Sequence, residues 1–183
     1  MPLILGIDSS LTATGLCRIE IDDNDHTRYA IEVATVGAPG AKSKTRREYS
    51  RRISAVVKPV AAAMEGVDVI MMEELAYGAR GASAFVLPWL WGSIIDQVEQ
   101  RDIPIAFANV SQLKKYATGA GNADKSQVMA RMIRAFPSVN ITNDNESDAM
   151  VLALMAARGW GCPLDHPTQA KAEVMEKIGA VTR

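Results

Sequence analysis

"GIDSSLTATG", residues 6–15, sets one aspartate between an apolar run and a string of small hydroxyl residues. The run before it, "PLILGIDS" (2–9), reads as a buried strand stopped by small polar residues. A carboxylate at the end of such a strand is costly to desolvate unless something pairs with it. Asp8 therefore has either a structural partner or a chemical task.

Working outward, "TGLCRIEI" (14–21) alternates as a second strand, and "RYAIEVATV" (28–36) reads as a third after the polar turn "DDNDH". Short antiparallel links join these three. A helix is expected over 43–65, kinked or interrupted at Pro59, followed by a buried strand over 67–74 that ends in carboxylates. A mostly apolar helix over 81–102 contains Pro88 in its first half, and a further strand covers 103–110. Residues 111–119 read as a short helix or turn. Residues 119–136 read as a Gly-rich loop running into a helix, with Asp124 as candidate N-cap. A strongly apolar helix spans 143–160, opening on polar capping residues. Three strands, helix, strand, helix, strand, then helices imply an α/β protein: a mixed five-stranded sheet with helices on both faces.

Composition narrows the class. The 183 residues are 48% hydrophobic and 22% charged with a net charge of −1, as expected of one soluble domain. No apolar run reaches the roughly 18–20 residues of a membrane span, and "MPLILGI" is too short for a signal peptide. Cys17 and Cys162 follow no metal or redox spacing, and His26 and His166 are the only histidines. A zinc site is not expected, and a reduced, cytoplasmic protein is. Charge is uneven: basic residues crowd 42–52 and recur at Lys114, Lys115 and Lys125, while the acids lie in "EIDDND", "MMEE" and "NDNESD".

Three acidic positions share one context. Asp8 ends the first strand, Glu73 or Glu74 ends the fourth, and Asp148 lies in the first turns of the last long helix. Neighbouring strand ends lie about 4.8 Å apart, so a helix across the sheet can bring a third carboxylate to two on adjacent strands. Clustered carboxylates repel and raise one another's pKa unless a cation sits among them. Oxygen donors without His or Cys suit Mg²⁺, with Mn²⁺ as substitute.

"LGIDSSLTATG" resembles the first strand and turn of the RuvC-type Holliday junction resolvases, nucleases of the RNase H-like fold. "MMEELAYGARGASAFVLPWLWG" resembles their second-acid segment, "SQLKKYATGAGNADKSQV" their basic segment, and "NESDAMVLALMAA" their final acidic helix, all in order. The resemblance puts the metal-binding carboxylates on Asp8, Glu73 and Asp148, and matches Lys114 and Lys125 to lysines near the scissile phosphate and on DNA. It implies metal-dependent cleavage of four-way DNA junctions, with two ions per site and Lys125 stabilising the reacting phosphate. Lys114 and Lys115 are expected to contact phosphates. Two symmetric cuts imply a homodimer, packed in this family through the helical region that "FVLPWLW" would form. Two departures stand out. Asn145 replaces an acid or histidine three residues before the last aspartate, and is a candidate metal ligand or helix cap. Ala76 replaces an aromatic, leaving Tyr77 as the candidate for base stacking.

The resemblance covers 1–160, the nuclease domain, and leaves 161–183 as a C-terminal tail of unassigned role, frayed or lying on a partner. Cleavage of other branched DNA, such as flaps and forks, shares the same residues. So does a non-catalytic junction-binding protein in which Asn145 marks a decayed site.

Overall fold

In the computed structural model the described residues are 1–40, 45–75 and 83–179. Lys42, Lys44, Ala76 and Tyr77 lie outside them. Strand β1 (Leu3–Asp8) is central because both of its faces are apolar: Ile4, Leu5 and Ile7 are fully buried. It pairs antiparallel with β2 (Thr14–Ile21), which pairs antiparallel with β3 (Tyr29–Val36). On its other side β1 pairs in parallel with β4 (Val69–Glu73), and β4 in parallel with β5 (Ile105–Ala108). The spatial order is β3-β2-β1-β4-β5, the mixed five-stranded sheet expected.

Alternate residues divide between two cores. Leu5, Ile7, Leu16, Ile70 and Met72 pack under helices α1 (Arg46–Ala63) and α2 (Ser83–Glu99). Ile4, Cys17, Ile19, Val69 and Met71 face α5 (Asp144–Gly159) on the opposite side. Around α5 lie α3 (Val110–Thr118) and α4 (Lys125–Ala135), with α6 (Gln169–Ile178) against α3. Every residue of α5 from Glu146 to Ala157 is buried, as its all-round apolar composition requires.

Two glycines set how closely α5 approaches. A β-carbon at Gly6 would lie 2.0 Å from the Ala149 carbonyl oxygen, and one at Gly15 would lie 2.0 Å from that of Asn145. With hydrogens in those places, the helix backbone rests directly on β1 and β2.

α1 continues through Pro59 to Ala63, so the helix is not interrupted there, and α2 runs through Pro88. The carbonyls these prolines deprive of a donor belong to Ala55 and Ala84, both exposed, so solvent can serve them. The segment after residue 160 is not frayed over 169–178, where it forms α6. α6 buries Val174, at 2% exposure, in the α5-side core. No described helix is long and apolar enough to cross a membrane.

Candidate active site

Asp8 and Glu73 are the last residues of neighbouring parallel strands, and the register Ile7↔Met72 sets them side by side. Period-two alternation decides which face each presents. Asp8 follows Ile4 and Gly6, and Glu73 follows Val69 and Met71, so both carboxylates turn toward α5. Glu74 lies past the strand end, exposed, its N–H donating to the Ala108 carbonyl at 2.9 Å. Trp91 of α2 donates its indole N–H to the Glu73 carbonyl at 3.2 Å, pinning the backbone there, while its ring packs on Phe107 at 5.2 Å between centroids.

α5 supplies the third acid. Asn143 caps the helix by accepting from the Glu146 N–H at 3.0 Å, and Asp148 follows in the second turn at 8% exposure. Asp8 is 9% exposed, beside Glu73 at the end of the neighbouring strand. Burial raises all three acids above their ordinary values, and mutual repulsion adds to it. Asp8 is pushed up to about 7 by burial and by Glu73. Asp148 is pushed up to about 7 by burial and by Asp8. Glu73 is raised by burial and by Asp148.

Two cations oppose this. Lys125, the first residue of α4, lowers all three carboxylates, and Lys114 of α3 lowers Glu73 and Asp148. The Lys125 ammonium also sits 2.6 Å from the Asp144 carboxylate, which holds Asp144 below its ordinary range. Asp144 is the first residue of α5. The pair closes the rim of the site, and no spacing in the sequence announced it.

The remaining candidates separate. Asn145 lies one turn before Asp148, its carbonyl against Gly15. Glu146 turns away and binds the N–H and hydroxyl of Thr142 at 2.7 and 2.8 Å and the Thr35 hydroxyl at 3.1 Å. Lys115 turns from the acids and pairs with Glu173 of α6 at 2.5 Å. Tyr77 falls outside the described residues. Behind Asp8, Thr14 clips the turn: its buried hydroxyl donates to the Ser10 carbonyl and accepts from the Ser10 N–H at 3.0 Å.

The donor set is chemically that of a hard divalent cation: carboxylate oxygens, with no thiol or imidazole among the site residues. Among the described residues, however, no three acidic, histidine or cysteine side chains are gathered at metal-binding distance. The set fits a cation in chemistry and in shared negative charge.

A mixed five-stranded sheet in the order β3-β2-β1-β4-β5, with α5 laid across its two central strands, is the RNase H-like fold. Within that class the sequence profile of the family described as crossover junction endodeoxyribonuclease RuvC matches residues 4–156, and the chain belongs to that family. The Acinetobacter baylyi crossover junction endodeoxyribonuclease RuvC is 26% identical over 183 residues, covering 100% of this chain and 94% of the relative. The Nocardia farcinica enzyme of the same description is 29% identical over 166 residues, covering 88% and 82%. Among solved structures, Thermus thermophilus RuvC in complex with a Holliday junction substrate superposes with a TM-score of 0.64 at 16% identity, over 84% of this chain and 91% of that one. The fowlpox virus Holliday junction resolvase gives 0.51 at 9% identity, over 85% and 97%.

Proposed function

We infer that this chain resolves four-way DNA junctions by paired phosphodiester hydrolysis, with Asp8, Glu73 and Asp148 as the catalytic carboxylates. The observation that carries the reading is the nearness of two buried acids, Asp8 and Asp148, and the half-buried Glu73, which raise one another at one edge of the sheet, inside a family of crossover junction endodeoxyribonucleases. Three acids raised by one another favour a bound cation over a proton once one is available.

Cleavage by this family is metal-dependent. For this chain the reading is two Mg²⁺ per site, replaceable by Mn²⁺, held by Asp8, Glu73 and Asp148 with the Asn145 side-chain carbonyl as a neutral fourth donor. Divalent ions there supply the Lewis-acid charge for in-line displacement of the 3′-oxygen by water. Asp8 lies beside Glu73 on the neighbouring strand and raises Asp148, so the three would hold an ion in common with Lys125 at hand. Lys125 exchanges its contact with Asp144 for a non-bridging phosphate oxygen, and Lys114 binds an adjacent phosphate. Tyr77 is assigned to base stacking beside the site. Lys115 reaches DNA only by giving up Glu173.

The active unit is read as a homodimer acting in the cytoplasm. Phe85 and Trp89, i and i+4 on α2, are 48% and 40% exposed, an apolar pair that a second copy would cover.

The test is cleavage of a synthetic four-way junction, labelled on each strand, beside flap and fork substrates of matched sequence. Symmetric cuts on the junction that need a divalent ion are expected, and Asp8→Asn or Glu73→Gln should abolish them while Glu74→Gln keeps them. Asp8→Asn should bind the junction as tightly as the parent or more so, since one negative charge beside the phosphates is gone. Preferred cutting of flaps or forks would overturn the substrate, and wild-type cutting by Asp8→Asn would overturn the site.

A further inference from the structure

Beyond the residues matched by the family profile, Asp165 lies between α5 and α6 at 9% side-chain exposure and joins three elements. Its carboxylate accepts from the Tyr116 hydroxyl of α3 at 3.1 Å and from an Arg158 guanidinium N–H of α5 at 2.5 Å. It also pairs with the Lys171 ammonium of α6 at 2.6 Å. The partners hold one another as well. Arg158 donates to the Asp165 carbonyl at 2.7 Å and, through Nε, to the Tyr116 hydroxyl at 3.0 Å. Lys171 stands 5.3 Å from the Tyr116 ring centroid and donates to the His166 carbonyl at 2.8 Å. Beside it, Lys115 and Glu173 make a second tie between α3 and α6.

This clasp grips α3 on the side formed by Lys115 and Tyr116. Lys114, about 100° around the helix from Lys115, is left toward the carboxylates, where its charge is felt at Glu73 and Asp148. α3 is nine residues long, too short to hold its own position and dependent on what packs against it. One carboxylate between two cations controls that packing: without it, Arg158 and Lys171 face each other beside the buried Tyr116 hydroxyl.

We propose that Asp165 is a positioning residue for junction cleavage, fixing α3 through Tyr116 so that the Lys114 ammonium stands over the DNA backbone. The proposal rests on the reading that Lys114 binds a phosphate, and it makes the segment after residue 160 a working part of the nuclease.

A double-mutant cycle tests it, with single-turnover cleavage of the four-way junction measured well below the melting temperature of each variant. Lys114→Ala and Asp165→Asn should each slow cleavage by about 10- to 100-fold. The double variant should be no slower than Lys114→Ala alone, because Asp165 acts through Lys114. In a Lys125→Ala background the Asp165→Asn loss should persist in full. Lys171→Met weakens the same clasp more gently and should follow the same pattern, which keeps the test available if Asp165→Asn does not fold. An Asp165→Asn loss that multiplies with Lys114→Ala, or no loss from either clasp variant, overturns the proposal and leaves the Lys114 reading standing. Wild-type cleavage by Lys114→Ala overturns both.

Discussion

Asp8 and Asp148 hold their protons up to about pH 7, against an ordinary value of 3.8, and this has a stability consequence opposite to that of a salt-bridged acid. Between those values the folded chain binds more protons than the unfolded one. Stability therefore falls as pH rises through that window, and the whole penalty is present above about 7. Below 3.8 both states are protonated and the penalty vanishes. In chelator, Asp8→Asn should raise the melting temperature at pH 8 by about 5 °C, with a smaller gain at pH 5, as thermal denaturation monitored by circular dichroism would record. Asn145 carries a second prediction at this scale. Asn145→Asp adds a charge one turn from Asp148 and should lower the Mg²⁺ concentration for half-maximal cleavage about threefold or more, with cut positions unchanged. An unchanged metal titration would put the side chain outside the shell.

Among the elements, α5 and the strands beneath it set the geometry of the acids. The helix backbone rests on Gly6 and Gly15, and from there Asp148 feels the charge of Asp8. Gly15→Ala would drive a methyl group into the Asn145 carbonyl, so the first turn of α5 must lift. The expected cost is about 1–3 kcal/mol in denaturant unfolding, with a larger proportional loss in cleavage than in stability. Much at this scale was legible from local pattern. The apolar run 3–7 ending at Asp8 and the run 69–72 ending at Glu73 carry their own stop signals, and Asn143 announces the start of α5. A proline ring by itself does not interrupt a helix. Whether the freed carbonyls of Ala55 and Ala84 face solvent depends on which side of each helix packs.

For the whole molecule, the apolar pair on α2 bears on assembly. Trp89→Lys places a charge in the proposed interface and should convert a dimer to monomers in sedimentation, while metal-free unfolding changes little because the side chain is 40% exposed. Paired cutting of both strands should be lost along with the dimer. Junction affinity should also fall steeply with salt, since the proposed contacts of Lys114 and Lys125 release counterions.

What the sequence by itself determined is the order of elements and the places where acids end apolar runs. Both follow from periodicities of two and 3.6 acting over a few neighbouring residues. It also narrowed the strand-end acid to Glu73 or Glu74, one on each face. The tertiary structure decided which face meets α5. It paired Lys125 with Asp144, drew Lys115 away to Glu173, and bound the C-terminal segment to α3 through Asp165. The partners in those contacts lie 19, 58 and 49 residues apart, so packing of the whole chain, which no local pattern encodes, brings them together.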